Sequence, residues 1–160
     1  MKDVRFFDEE FQFLLRVSVL IFNKEMNKVL LFNVEGRKVH MLPGGKVQQL
    51  EESLEAVKRE VHEELGWDNL DYSFLCVSEE FVNDKGYNNQ QINLIYKALY
   101  NDEIKEECFK GLEGDWINFN WVDIDKLDEY ELYPRLVRDM AKDPNRIYHS
   151  VNNLIKESQN

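Results

Sequence analysis

The sequence predicts an α/β layered domain with a mixed sheet, and three observations carry that prediction. Apolar, β-branched runs of strand length recur along the chain, one strongly periodic helix interrupts them, and helical segments follow near the end. The 160 residues are 43% hydrophobic and 12% aromatic, enough for one ordinary core and too few for two full domains. Residues 1–160 are therefore read as a single domain.

The first strand run is Leu14 to Phe22, rich in β-branched side chains. Lys28 to Phe32 follows after the polar turn Asn23-Lys24-Glu25-Met26-Asn27, and the pair suggests a hairpin. Val39 to Leu42 reads as a short strand stopped by Pro43-Gly44-Gly45. From Ser53 to Leu65 the period changes: Leu54, Val57, Val61 and Leu65 share one helical stripe, and Gly66 supplies the stop. Tyr72 to Val82, Gln91 to Tyr100 and Trp116 to Val122 read as strands, joined by Asp84-Lys85-Gly86 and by the acidic stretch Asn101 to Glu107. Helices are expected over Asp123 to Glu129 and Pro134 to Lys142, since proline suits a first helical turn, and again over Ile147 to Lys156. The C-terminal helices thus span about 134–156.

Bulk features exclude several function classes. Met1 to Gln12 lacks a basic start followed by an apolar run, so no secretion signal is expected. The longest apolar stretches fall far short of the ~18 residues of a membrane helix. Cys76 and Cys108 form no C-x-x-C pair and are read as idle thiols of a cytoplasmic protein. A net charge of -11 without a Lys/Arg cluster argues against a nucleic-acid polymer as partner. An acidic protein can still handle phosphates when divalent cations stand between them and its carboxylates.

A carboxylate constellation points the same way. At 100° per residue, Glu60 and Glu64 lie one turn apart with Glu63 on the same side, so three carboxylates fill one arc beside the apolar stripe. Like charges so close raise one another's proton affinity unless a cation joins them, and hard oxygen ligands suit Mg2+ or Mn2+. A bare E-x-x-E-E in a chain that is 32% charged is more often a solvated helix face. The surrounding pattern decides: from Gly45 the chain runs through five residues to Glu51, then seven more to Arg59-Glu60-Val61-His62-Glu63-Glu64-Leu65-Gly66-Trp67.

This segment, residues 45–67, resembles the Nudix box, G-x5-E-x7-R-E-U-x-E-E-x-G-U with U apolar, at every specified position. The resemblance extends from about Leu14 to Trp121-Val122-Asp123. It implies an α/β/α sandwich with a mixed sheet and a catalytic helix after a glycine-rich loop. It also implies metal-dependent hydrolysis of a phosphoanhydride bond in a nucleoside diphosphate linked to another moiety, such as a nucleoside triphosphate, dinucleoside polyphosphate or nucleotide sugar. By resemblance Glu63 and Glu64 are metal-binding, Glu60 is a further ligand or the base, and Arg59 orients the carboxylates. Glu51 and Gly45 stand behind them, and the Gly44 carbonyl reaches the metal in relatives. Glu113 and Asp115 are candidates for a later-loop carboxylate, and Arg16, Lys46 and Tyr87 for substrate contacts. Phe81 and Trp116, besides Tyr87, could stack on a base. His40, His62 and His149 receive no role. Two departures fall at unspecified positions: Met41 where many relatives have tryptophan, and Leu50 where many have glycine before the first box glutamate. The alternative is a non-catalytic nucleotide-sensing module, though such modules usually lose box carboxylates. The partner expected is a small nucleotide, and a homodimer is left open.

Overall fold

A computed structural model of the protein describes residues 1–157, so the last three residues of the expected 1–160 domain lie outside the described residues. The strands and helices are β1 (Arg5–Phe7), β2 (Phe11–Phe22), β3 (Lys28–Val34), β4 (His40–Met41), β5 (Gly44–Lys46), α1 (Ser53–Leu65), β6 (Asp71–Asp84), β7 (Tyr87–Leu99), β8 (Cys108–Gly111) and β9 (Gly114–Asp123). A 3-10 turn over Ile124–Glu129 leads to β10 (Leu132–Tyr133), α2 (Val137–Lys142), β11 (Tyr148–Asn153) and α3 (Leu154–Glu157). The mixed sheet runs β10-β4-β3-β2-β7-β6-β11, with β1 and β5 also on β2, and with β9 bridging β3 and β8.

Strand β2 is the axis of the sheet. It pairs in parallel with β7 from Phe11↔Asn88 to Phe22↔Leu99, and its other edge is shared by β1, β5 and β3 in turn. Alternation along β2 sorts the core into two layers. Val17, Val19 and Ile21 pack with Val57, Val61 and Leu65 of α1. Leu20 and Phe22 point the other way, into a cluster with Val137 and Met140 of α2. Two local devices set the register. In the β2–β3 loop the Asn23 carbonyl oxygen of the side chain accepts from the N–H groups of Asn27 at 3.0 Å and Lys28 at 2.8 Å. Lys85 and Gly86, at φ 51° and 89°, supply the two left-handed residues of a tight β6–β7 hairpin.

Four elements differ from expectation. Pro43-Gly44-Gly45 ends β4, but the chain resumes at once as β5 because Gly44 can lie flat against β2: a Cβ there would meet the Val17 carbonyl oxygen at 2.1 Å. Strand β8 forms in a stretch without clear alternation, held by its pairing to β9. The helix expected from Pro134 starts at Val137, since Leu132 and Tyr133 are engaged as a strand with β4 and the residue before proline favours extended backbone. Most of the helix expected over Ile147 to Lys156 is instead strand β11, parallel to β6. Tyr148, Ser150 and Asn152 are buried and His149 and Val151 exposed, a period of two hidden because two of the inward residues are polar.

Leu50, one of the two departures noted in the sequence, lies in a strained stretch of the loop before α1. It adopts φ 63° with its side chain fully in solvent, where an L-residue is strained and gains nothing from burial. Relief of about 1–2 kcal/mol outweighs the roughly 0.5–1 kcal/mol entropic cost of glycine. Leu50→Gly should raise the melting temperature by a few degrees in calorimetry; a loss of stability would show that the loop conformation is not held as described.

Candidate active site

The site is assembled where α1 meets β5 and the β8–β9 turn. Helix α1 begins without a side-chain cap at Glu52, is tied to β7 by the Ser53 hydroxyl at 2.7 Å from that of Tyr96, and ends on Gly66 in the left-handed conformation. Its apolar stripe seats the helix on β2, which turns the arc of Glu60, Glu63 and Glu64 toward the glycine strand. Gly45 makes room for this approach: a Cβ there would lie 2.2 Å from the Glu60 carboxyl carbon. On the other side, the Leu112 N–H donates to the Glu64 carbonyl at 2.9 Å, fastening the β8–β9 turn to the helix.

Arg59 organises the acids. Its Nε and Nη2 donate to the two oxygens of Glu51 at 2.8 and 3.1 Å, its Nη1 to Glu60 at 2.8 Å and Glu63 at 3.3 Å, and Nη2 also to the Lys46 carbonyl at 3.0 Å. This is the paired geometry only a guanidinium offers. Glu51 in turn accepts from the Gln48 N–H at 2.9 Å, closing the loop before α1. The hydrogen bond from Arg59 is the main reason the Glu51 carboxyl titrates below its ordinary value, while the acids push Arg59 upward.

Glu64 is the anomalous group. Its side chain is buried, and among the described residues its neutralising contacts are the Gly44 N–H at 3.2 Å and the more remote charge of Arg16. Burial, then the charges of Glu113 and Glu60, push its pKa up to about 8. Burial likewise raises Glu60 against the pull of Arg59. The expected residues therefore separate. Glu51, Arg59, Glu60, Glu63, Glu64, Gly44 and Gly45 come together, and Glu113 lies close enough for its charge to act on both Glu60 and Glu64. Asp115 is exposed and is not among the leading influences on either. Lys46 contributes its carbonyl, while its ammonium pairs with Asp3 at 3.4 Å. Tyr87 bonds through its hydroxyl to the Asp8 and Phe11 carbonyls at the hairpin end, six residues along β7 from Asn93 and so roughly 20 Å away. Phe81 is half-buried in β6, and Trp116 is 56% exposed at the start of β9. The sequence reading missed Glu80, a buried acid of β6.

Among the described residues, no three His, Cys, Asp or Glu side chains form a ready-made cation cage, because Glu60 and Glu63 are turned to Arg59 and Glu64 to Gly44. The donor set nevertheless fits a hard divalent ion: it is all oxygen, and two of its carboxylates are desolvated beside like charge, the state a cation reverses.

The mixed sheet between helices is a fold shared with solved structures. The mutator MutT protein from Bacillus halodurans matches with TM-score 0.67 at 19% identity, covering 89% of this chain and 92% of its own. A MutT protein from Methanosarcina mazei Go1 matches at 0.55 with 24% identity over 85% and 94%, and a NUDIX hydrolase from Nitrosomonas europaea at 0.57 with 18% over 84% and 91%. These similarities show the fold. No curated protein matches the chain. The NUDIX domain profile matches residues 12–142, so the chain belongs to the NUDIX family. It is a Nudix pyrophosphohydrolase, of a family that generally cleaves nucleoside diphosphate derivatives and uses divalent metal ions. No helix among the described residues is long and apolar enough to cross a membrane.

Folding must either bury the charge of Glu64 or neutralise it, and both oppose stability when no cation is present. Glu64→Gln keeps the shape and removes that opposition. With metal withheld, the variant should melt at least about 2–4 °C higher, the equivalent of about 1 kcal/mol for a chain of this size. An unchanged or lower melting temperature would mean that Glu64 is solvated in the free protein.

Proposed function

We propose that the protein hydrolyses the phosphoanhydride bond of a nucleoside diphosphate linked to another moiety, using Mg2+ or Mn2+. The observation that carries this reading is Glu64: a buried carboxylate facing Glu60 and Glu113 with no ion-pair partner among the described residues, on the helix that Arg59 and Gly45 hold in place. Glu64, with Glu60 or Glu63 and the Gly44 backbone, would hold the cation. The bound ion supplies charge neutralisation at the phosphoryl oxygens and lowers the pKa of water.

The chain's own residues divide the remaining work. Arg59 positions Glu60 and Glu63 and is itself anchored by Glu51, so a small shift of the guanidinium would displace two carboxylates together. Glu60 accepts the proton of the attacking water if it is not engaged as a ligand, and Glu113 is the acid placed to share that role from the β8–β9 turn. Arg16, which has no hydrogen bond or ion pair among the described residues, steadies a substrate phosphate. The nucleotide-sensing alternative gains no support from a site that retains every box carboxylate.

Two measurements test the proposal. Turnover of a nucleoside triphosphate panel, followed by phosphate or pyrophosphate release, should vanish with chelator and return with Mg2+ or Mn2+; undiminished turnover after exhaustive metal removal overturns it. Arg59→Lys keeps the charge and loses the paired contacts, and should lower kcat by roughly 10-fold or more with little change in KM. Wild-type kcat in that variant, at saturating metal and substrate, would remove the positioning role from Arg59.

A further inference from the structure

A cavity of about 190 Å3 lies beside the carboxylate arc, on the sheet face that carries Arg16 and Ser18. Phe32, Met41, Leu42 and Pro134 give it apolar surface, and β6, β7 and β10 give it a polar side. It has the size and lining for one planar heterocycle rather than a whole nucleotide. Arg16 joins the two regions, since its charge acts on Glu64 of the arc and on Glu80 of the cavity.

The polar side carries two buried acceptors, Glu80 and the side-chain oxygen of Gln91, that the protein satisfies poorly. Glu80 is 2% exposed; the Ser78 hydroxyl donates to it at a long 3.3 Å, and the side chains of Asn93 and Tyr133 lie close enough to interact with it. The side-chain oxygen of Gln91 is buried without any partner among the described residues, and the Tyr133 hydroxyl, buried beside Glu80, makes no well-formed hydrogen bond. Burial dominates the electrostatics of Glu80, whose pKa is raised despite opposing contributions from Ser78, Arg16, Asn93 and Tyr133. Buried acceptors in this condition are costly, and a native structure that keeps two of them on one cavity wall is built for something that donates.

Among nucleobase edges, only that of guanine places a ring N–H and an exocyclic amino group side by side, a pair of donors that two carboxylate oxygens can receive. Its neighbouring carbonyl is an acceptor, which the Tyr133 hydroxyl can satisfy. Adenine offers an amino group beside an unprotonated ring nitrogen, which would face the carboxylate with a lone pair. Hypoxanthine keeps the ring N–H and lacks the amino group.

We infer that this cavity is the base pocket of the hydrolase and that Glu80 and Gln91 are specificity-determining acceptors selecting a guanine-type edge. The inference rests on the hydrolase reading for its purpose and on a separate readout for its test. Calorimetric titration with GDP, IDP and ADP in chelator measures recognition without turnover. GDP should bind at least about 10-fold tighter than IDP, with ADP weaker than both. Glu80→Gln, which swaps one acceptor for a donor, should bring GDP and IDP within about 3-fold of each other. Should that variant fail to fold, Gln91→Met decides: it removes an oxygen with no partner in the protein, so the melting temperature should hold while GDP affinity falls. Tighter binding of ADP, or an unaltered GDP-to-IDP ratio in a folded Glu80→Gln or unaltered GDP affinity in Gln91→Met, overturns the inference. Hydrolysis with no base preference leaves the hydrolase standing and the base pocket refuted, whereas GDP-selective binding without hydrolysis does the reverse.

Discussion

Everything at this site depends on how one guanidinium restrains a group of carboxylates that would otherwise repel one another. Arg59 spans Glu51, Glu60, Glu63 and the Lys46 carbonyl, and so couples the loop, β5 and both turns of the acidic arc in a single planar fork. It satisfies Glu51 fully and Glu60 in part, and it leaves Glu64 outside its reach. The imbalance is the functional point. A helix whose acids were all neutralised by arginine would be a stable surface element with nothing to offer a cation. A helix with none neutralised would not pack so closely against β5.

The fold serves this arrangement through two features of β2. Its inward residues bind α1 on one side and the α2 cluster on the other, which makes the catalytic helix part of the core. Its free edge is lent to β5 for three residues, where Gly44 brings its backbone N–H against Glu64 and Gly45 leaves empty space against Glu60. The tie from Leu112 to the Glu64 carbonyl brings a third segment, with Glu113, to the same place. Residues as far apart in sequence as Gly44 and Glu113 thus meet because a sheet edge, a helix terminus and a hairpin turn converge.

Legibility in the sequence followed the kind of signal each part carries. The helix Ser53 to Leu65 and its arc could be read because helical spacing is local and apolar positions mark it directly. Strands β2, β3, β6, β7 and β9 could be read from apolar runs, although their ends ran longer than the runs themselves. Strand β11 could not, because two of its three buried residues are the polar Ser150 and Asn152, which pair with β6 more than 70 residues away. Glu80 was hidden for a related reason: as a glutamate in a charged chain it looked like surface, and only the sheet shows it facing inward. Tyr87 illustrates the opposite error, a plausible ring in sequence that the hairpin carries off to its tip.

The central claim is that the incompletely neutralised carboxylates of α1 form the binding site of a divalent cation. Anomalous diffraction from crystals equilibrated with Mn2+ tests it directly. The account predicts a peak bonded to carboxylate oxygen of Glu64, shared with Glu60 or Glu63, at roughly 2.0–2.3 Å. A peak held by histidine or cysteine elsewhere, or no peak beside Glu64 at saturating Mn2+, would contradict it.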